Sequence, residues 1–209
     1  MKRRKRHIKA IKRATILFLL FSGIFLILSF LTSEKSNITE NSRKPKISEE
    51  IRQYQPLVKM YAEQYGVEDY MDVILGIMMQ ESGGRGQDPM QASESYCGER
   101  NCIENPELSI KQGVSYFSKT LDEASGDVQL AVQSYNFGLG FIDFVQERSG
   151  EYSQETAIDF SQYMYEQDPD KEKYRCLREG SRELDACYGD IYYVNAVMGY
   201  RDVIEAEAQ

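Results

Sequence analysis

Apolar residues recur at intervals of three and four along most of the chain, which is the spacing of amphipathic α-helices. From residue 51 onward the pattern predicts helices at 51–65, 70–81, from 109, from 127, 139–147, 154–166 and 191–205. No run of alternating apolar and polar residues indicates a β-strand. The sequence therefore predicts a mainly α domain, with the last helix, apolar on most faces, buried at its centre.

Capping residues and breakers mark several of these helix ends. Gly66 follows the first helix, and Pro56 within it predicts either a bend or a later start. Ser109 and Asp127 precede periodic apolar segments and are predicted N-caps. The interval 83–106 carries no helical period, and a loop of that length in a compact domain usually serves a function.

An uncharged and almost wholly apolar segment, residues 14–31, follows eight basic residues at the start of the chain. About 18 such residues suffice to span a bilayer, and a basic flank favours the cytoplasmic side. We therefore expect a cytoplasmic tail (1–13), a single transmembrane signal anchor (14–31), a polar linker (32–48) and an extracellular domain (49–209). A cleaved signal peptide, which would release the domain, is the alternative, although residues 31–34 offer no good small-x-small cleavage site.

Charge divides sharply at this apolar segment. All 33 acidic residues follow it, together with only 17 of the 25 lysines and arginines. No basic surface remains to neutralise phosphates, so we expect no nucleic-acid partner. A polysaccharide would have to be bound by hydrogen bonds and ring stacking, and the 15 Tyr and 9 Phe can supply the rings.

The four cysteines also follow the apolar segment, in two close pairs, Cys97 with Cys102 and Cys176 with Cys187. These spacings predict two local disulfides formed in an oxidising compartment. Other pairings exist, and a zinc site with four thiolate ligands is the alternative, but spacings of five and eleven suit paired zinc knuckles poorly. We therefore expect no metal site.

The distribution of histidine restricts the chemistry of the domain. The only histidine, His7, precedes the apolar segment. Catalysis by Ser-His-Asp or Cys-His groups, or by histidine-ligated zinc, is therefore excluded for residues 49–209. Carboxylates, amides and hydroxyls remain, and hydrolysis of a glycosidic bond requires no other groups.

Glu81 is the strongest candidate for such chemistry. It lies in the last turn of the predicted helix 70–81, on one stripe with Tyr70, Ile74, Ile77 and Met78. Apolar neighbours and the negative end of the helix dipole both favour the protonated carboxyl, which can donate a proton to a leaving group. On spacing alone, a solvated glutamate at a helix end explains the same pattern.

Two further carboxylates follow in the loop 83–106. Asp88 and Glu94 could each face Glu81 across a cleft, and Glu94 is the better candidate for positioning a water molecule. Taken singly, each is better explained as a surface residue that favours solubility.

Four motifs in order give the sequence a specific resemblance: ESGG at 81–84, PMQAS at 89–93, SYNFG at 134–138 and YV at 193–194. The chain from 51 to 201 resembles the goose-type lysozyme and lytic-transglycosylase superfamily, and within it the lysozyme-like domains of Gram-positive cell-wall hydrolases. The resemblance implies a lysozyme-like fold with a central buried helix and a groove. The sequence departs from many relatives at Asp88-Pro89, where they have Gly-Leu, and this difference is expected to alter the groove floor.

The resemblance also implies roles for individual residues. Glu81 matches the general acid that protonates the glycosidic oxygen, with Glu94, or less favourably Asp88, as the second carboxylate. Substrate-binding roles fall to Ser82, Met90, Gln91, Ser93, Tyr135, Asn136 and Tyr193. Met90 and Tyr193 are equally explained as core residues, and Asn136 as a residue that ends a helix.

We therefore expect a monomeric, membrane-anchored peptidoglycan hydrolase, without cofactor or metal, that cleaves the β-1,4 bond between N-acetylmuramic acid and N-acetylglucosamine. A lytic transglycosylase, which would leave 1,6-anhydromuramic ends, is the first alternative. A non-catalytic wall-binding module on the same fold is the second, since a fold does not guarantee an activity.

Overall fold

A computed structural model describes residues 46–148 and 150–208 of the chain. These residues form helices and no strand, which confirms the predicted fold class. The α-helices are α1 (Glu49–Tyr65), α2 (Met71–Glu81), α3 (Ser93–Cys97), α4 (Pro106–Glu123), α5 (Val128–Phe137), α6 (Gly140–Gln146), α7 (Gln154–Gln167) and α8 (Tyr193–Ala208). Short 3₁₀ turns occupy Glu68–Tyr70 and Lys171–Lys173.

Helix α1 extends over the predicted residues and two more at its start. Ser48 is its N-cap, with the hydroxyl accepting from the Ile51 N–H at 3.3 Å, and Gly66 ends it in a left-handed conformation (φ 69°). Pro56 therefore lies inside the helix rather than at its beginning. Asp127 is the N-cap of α5, as predicted, and accepts from the Leu130 N–H at 3.0 Å.

The start predicted for the third helix is wrong. Helix α4 begins at Pro106, because Asn105 accepts from the N–H groups of Glu107 (2.8 Å) and Leu108 (3.2 Å) and proline suits the first helical position. Ser109 lies one turn inside the helix and is fully buried. Its hydroxyl therefore serves the groove described below rather than the helix end.

The central buried helix is α2, not the last helix. Every residue from Val73 to Met78 is buried, and α2 packs against α8 on one side and α1 on another. Gly76 permits the close approach of α8, since a Cβ there would lie 2.8 Å from the carbonyl oxygen of Val197. Helix α8 has an exposed side that includes Asn195 and Asp202, so its apolar composition does not make it central.

The long interval between α2 and α4 is not wholly irregular, because it contains the short helix α3. The two predicted disulfides are both present, Cys97–Cys102 just after α3 and Cys176–Cys187 in the segment before α8. Each closes a local loop, and the two segments that they hold face one another across the groove described below.

The predicted cytoplasmic tail, signal anchor and most of the linker lie outside the described residues. Of the linker, residues 46–48 are described, and Ile47 is buried against the core. Within the part of the chain that the structure covers, no helix combines the length and apolarity needed to cross a membrane.

Candidate active site

A groove of about 890 Å³ runs beside the end of α2. Its walls come from the α2–α4 interval on one side and from residues 173–189 on the other. The side chains and backbone that line it belong to Glu81, Asp88, Gln91, Ser93, Glu94, Arg100, Asn101, Tyr135, Asn136, Lys173, Tyr174, Arg175, Leu177, Cys187, Tyr188 and Gly189.

Glu81, the last residue of α2, presents its carboxyl group to this groove. Burial raises the pKa of Glu81 to about 7, and the hydrogen bond from Tyr193 opposes part of that rise. The negative charges of Asp88, Asp190 and Glu94 raise it further. At neutral pH the carboxyl group is therefore protonated in a large fraction of molecules and is able to donate its proton.

Tyr193 orients this acid through a hydrogen bond. It is 2% exposed, and its hydroxyl donates to Oε1 of Glu81 at 2.5 Å. Burial raises the pKa of Tyr193 well above its ordinary value, so the hydroxyl keeps its proton and remains a donor. The side chain is absent from the groove lining, and its contact with the groove is through Glu81.

Ser82 holds the turn that follows the acid. Its hydroxyl donates to the carbonyl oxygen of Pro89 at 2.8 Å and accepts from the N–H groups of Gly84 (3.0 Å) and Arg85 (3.1 Å). Gly83 is left-handed (φ 67°), a conformation that glycine commonly adopts just after a helix, and Ser48, the α1 N-cap, donates to its carbonyl oxygen. Ser82 thus fixes the end of α2 and the position of Pro89 in the loop that follows it.

Asp88 organises the loop between α2 and α3, which forms the floor of the groove and is called the floor loop below. Its Oδ1 accepts from the Ala92 N–H (2.8 Å) and the Ser109 hydroxyl (2.6 Å), and its Oδ2 accepts from the N–H (3.0 Å) and hydroxyl (2.6 Å) of Ser93. The residue is only 8% exposed. Both oxygens of this carboxylate are therefore occupied by the protein itself.

Met90 and Gln91 form the floor in different ways. Met90 is fully buried, and its backbone is held by Ser109 and by the Tyr135 hydroxyl, which donates to its carbonyl oxygen at 3.0 Å. A Cβ on Gly113 of α4 would lie 2.6 Å from the Met90 Cβ, so this glycine makes room for the floor. Gln91 is exposed to the groove, with a left-handed backbone (φ 48°) and its amide donating to the Asp88 carbonyl at 2.9 Å.

Glu94 stands at the exposed rim of the same loop. Its Oε1 accepts from Nε of Arg100 at 3.1 Å, and both side chains are largely open to solvent. Unlike that of Asp88, the side-chain carboxylate of Glu94 accepts no hydrogen bond from backbone or buried groups among the residues that the structure describes. Of the two predicted second carboxylates, Glu94 is thus the one whose oxygens remain available to water.

Tyr135 and Asn136 lie in the last turn of α5, at the back of the groove. Tyr135 is buried, its ring meets that of Tyr116 edge-on at 5.3 Å between centroids, and burial raises its pKa well above the ordinary value. The Asn136 side-chain oxygen accepts from the Asp190 N–H at 2.8 Å. Gly189 permits this contact, because a Cβ there would lie 2.7 Å from that oxygen.

An ion pair that the sequence analysis did not anticipate supports this region. Asp190 is 4% exposed and receives two bonds from Nε of Arg178 (2.9 Å each) and one from Nη2 (2.6 Å). Gln80, which precedes the acid, lies 3.4 Å from the same carboxylate, and the Tyr192 N–H donates to it at 2.9 Å. The position of Asp190 just before a helix was the only sign of this ion pair in the sequence. Its arginine partner could not be identified, because it lies twelve residues away in an irregular segment.

The far wall of the groove was also missed. Residues 173–189 contribute Lys173, Tyr174, Arg175, Leu177 and Tyr188 to the lining. This segment has no helical period and matches none of the four motifs, so only the spacing of Cys176 and Cys187 indicated a constrained loop there.

A half-buried acid at the end of a central helix, beside a groove on a helical domain, is the arrangement expected of a lysozyme-like protein. A family model described as "Lysozyme-like" matches residues 48–201, and the chain belongs to that family. The membrane protein YocA of Bacillus subtilis is 35% identical over 212 residues, which cover 100% of this chain and 93% of YocA.

Two further relatives are longer than the region they share with this chain. The bifunctional muramidase/DL-endopeptidase CwlT of Bacillus subtilis is 40% identical over 154 residues, which are 74% of this chain and 42% of CwlT. A crystal structure of a Staphylococcus aureus protein, described as similar to a lipoprotein of the NLP/P60 family, superposes with a TM-score of 0.65 at 36% identity. That match covers 75% of this chain and 54% of the other. The chain therefore spans about half, or less, of these two proteins.

Proposed function

We propose that this protein is a peptidoglycan hydrolase that cleaves the β-1,4 bond between N-acetylmuramic acid and N-acetylglucosamine. The observation that carries the proposal is Glu81, a groove-lining carboxyl group whose pKa burial raises to about 7. A carboxyl group with that pKa donates a proton to the glycosidic oxygen as the bond to the leaving sugar breaks. The muramidase activity in the name of CwlT, which shares 40% identity with this domain, supports the same substrate class.

In the proposed mechanism, Glu94 directs a water molecule to the opposite face of the sugar. An inverting glycosidase separates its two carboxyl groups by roughly 6.5–9.5 Å, so that the water fits between them. Asp88 takes the structural role instead, because four hydrogen bonds already occupy its oxygens. Gln91 and Asn136, on the floor and back wall, are the proposed partners for the N-acetyl groups of the sugar.

One observation favours a second candidate, a lytic transglycosylase. Glu94 is exposed at the rim and paired with Arg100, so it is less firmly placed than the acid. A transglycosylase does without a water-directing carboxylate, since the C6 hydroxyl of muramic acid closes a 1,6-anhydro ring. The masses of the released fragments distinguish the two reactions, because the anhydro product lacks one molecule of water.

The test of catalysis is zymography on purified peptidoglycan with the wild type, Glu81→Gln and Glu166→Gln. The last variant makes the same Glu→Gln substitution at an exposed position of α7 that does not line the groove. We expect the wild type and Glu166→Gln to clear the wall, and Glu81→Gln to lose at least about 100-fold in rate, as loss of a general acid implies. Wall binding without release of fragments by the wild type would instead favour a non-catalytic binding module.

We also propose that residues 14–31 anchor the domain on the outer side of the cell membrane, with residues 1–13 in the cytoplasm. The apolar length and the basic flank support this arrangement, as does the similarity to the membrane protein YocA over 93% of its length. We take the domain to act as a monomer on its glycan strand.

A further inference from the structure

The far wall of the groove is a segment without regular secondary structure that several contacts nevertheless hold in place. The Cys176–Cys187 disulfide closes it, and the ion pair between the half-buried Arg178 and the buried Asp190 fastens it to the body of the domain. The Ser161 hydroxyl donates to the carbonyl oxygen of Tyr188 at 2.8 Å. Side chains that project from this wall are thus presented from a fixed backbone.

Three cationic side chains line the groove, and two of them already have acidic partners. Arg100 pairs with Glu94 at 3.1 Å. Lys173 pairs with Asp168, and this contact, together with the bond from the Tyr174 hydroxyl, lowers the pKa of Asp168 to about 2. Asp168 therefore stays ionised at any pH at which the protein works and compensates the charge of Lys173.

Arg175 differs from the other two. It is exposed, it lines the groove next to the anchored Cys176, and no carboxylate pairs with it among the residues that the structure describes. Over the whole chain acidic residues outnumber basic ones by 33 to 25, yet three of each line the groove. An uncompensated guanidinium at that place opposes the general acidity of the chain and would attract an anion.

We propose that Arg175 binds a carboxylate carried by the substrate, and so selects a muramic acid polymer over a neutral N-acetylglucosamine polymer. The inference rests on the proposed function for the identity of the polymer, but not on cleavage. Guanidinium groups suit this task because they bind carboxylates through two parallel hydrogen bonds. The same contact offsets the repulsion that the ionised form of Glu81 exerts on an anionic ligand.

The carboxylate has two sources in peptidoglycan. The lactyl group of muramic acid ends in a free carboxylate where the stem peptide has been removed, and in a neutral amide where the peptide is attached. The stem peptide brings carboxylates of its own. A peptide-free ligand and a peptide-bearing ligand therefore report on different sources of the same chemistry.

The experiment measures binding to the full-length chain, purified in detergent, in a Glu81→Gln background that prevents turnover. The probes are a peptide-free tetrasaccharide of alternating N-acetylglucosamine and N-acetylmuramic acid, the same tetrasaccharide with stem peptides, and chitotetraose. The variants compared are Arg175→Gln, Arg175→Lys, and Arg182→Gln. Arg182 is an exposed arginine of the same disulfide loop, but it does not line the groove. Arg182→Gln therefore removes the same charge from the same loop as Arg175→Gln and leaves the groove lining unchanged.

Arg175→Gln is expected to raise the Kd for a carboxylate-bearing ligand about tenfold, and to leave the Kd for chitotetraose within about twofold. Weakening of the peptide-free ligand assigns the lactyl carboxylate, and weakening of only the peptide-bearing ligand assigns the stem. Arg175→Lys should recover part of the loss, and Arg182→Gln should change nothing. The added affinity of the wild type should also decline with salt.

Equal effects of Arg175→Gln on all three ligands, or no effect on any of them, would overturn the inference. So would an Arg182→Gln effect as large as that of Arg175→Gln, since the charge would then act at long range. A wild-type protein that fails to cleave peptidoglycan, while Arg175→Gln still discriminates between the ligands, would refute the proposed function alone.

Discussion

At the scale of single residues, Glu81 connects catalysis to pH. Burial raises its pKa to about 7, so the protonated form that the proposed mechanism requires declines above that pH. We expect kcat/KM on soluble glycan fragments to fall about tenfold per pH unit on the alkaline side of this pKa. A rate that stays constant from pH 6 to pH 9 would contradict the role of Glu81 as the acid.

The same carboxyl group has a cost in stability whose sign follows from its pKa. The folded chain holds the proton more tightly than the unfolded chain, whose carboxyl titrates near 4.5, whereas the folded value is about 7. The loss in free energy of unfolding is absent below the pKa that Glu81 has in the unfolded chain. Above the pKa of the folded chain the loss is complete and reaches about 3 kcal/mol. Glu81→Gln should therefore be more stable than the wild type at pH 8, and the difference should vanish near pH 4.

Urea denaturation of the two proteins at both pH values measures this difference, with Glu166→Gln as the control. A gain at pH 8 in Glu81→Gln and none in Glu166→Gln is the expected pattern. A gain of equal size at both pH values would instead point to packing, because only the ionised carboxylate carries the desolvation cost.

Asp88 provides a second test at this scale. Replacing it by asparagine turns one accepting oxygen into a donor that faces N–H and hydroxyl groups of the floor loop. We expect Asp88→Asn to lower the free energy of unfolding by about 2–4 kcal/mol, as a buried network with unsatisfied donors implies. Asp143→Asn, an exposed change in α6, is the control. Unchanged stability together with lost activity would restore a chemical role for Asp88.

At the scale of elements, the fit of α4 beneath the groove floor depends on the absence of a side chain at residue 113. Glycine inside a helix normally costs about 1 kcal/mol relative to alanine, so Gly→Ala usually stabilises. Gly113→Ala should do the opposite, because its Cβ would lie 2.6 Å from the buried Met90 Cβ. Gly199 of α8 is a matched control, with nothing within 4 Å of its added Cβ.

Thermal unfolding of the two alanine variants measures the contrast. Gly199→Ala is expected to raise the Tm and Gly113→Ala to lower it, and the latter should also reduce wall lysis by shifting the floor loop. If both substitutions stabilised the protein, the floor would be more adaptable than the contact distances imply.

Elements whose ends have local signals were predictable from sequence. The bounds of α1 and α2 and the start of α5 followed from apolar periodicity, together with Gly66 and Asp127 at two of these ends. The start of α4 was misplaced because a serine before apolar residues also suits a buried helical position whose hydroxyl bonds an aspartate 21 residues earlier. Such a long-range partner leaves no local trace in the sequence.

The same distinction applies to the groove. Glu81 and the floor could be predicted, since they lie next to one another in the chain and carry family motifs. The far wall and the Arg178–Asp190 pair could not, because an irregular segment has no period and its position depends on tertiary contacts. Similarly, apolar composition alone favoured the last helix as the centre, whereas packing against both α1 and α8 and the burial of every residue from Val73 to Met78 select α2.

At the scale of the whole molecule, the proposed anchor makes a prediction about location. The full chain should fractionate with the membrane, and a chain that begins at residue 46 and is exported behind a cleavable signal should appear in the medium. Protease added to cells without their wall should degrade the domain of the anchored protein. Protection of the domain from that protease would place it in the cytoplasm and contradict the proposed topology.

The bond between Tyr193 and Glu81 joins residues 112 positions apart, one on the last helix and one on the second. During synthesis, the acid emerges long before the hydroxyl that orients it, and α2 lacks its main packing surface until α8 arrives. An unfinished chain therefore lacks the oriented carboxyl group on which the proposed cleavage depends. The proposed capacity to cut the wall would therefore arise only once the final segment has docked.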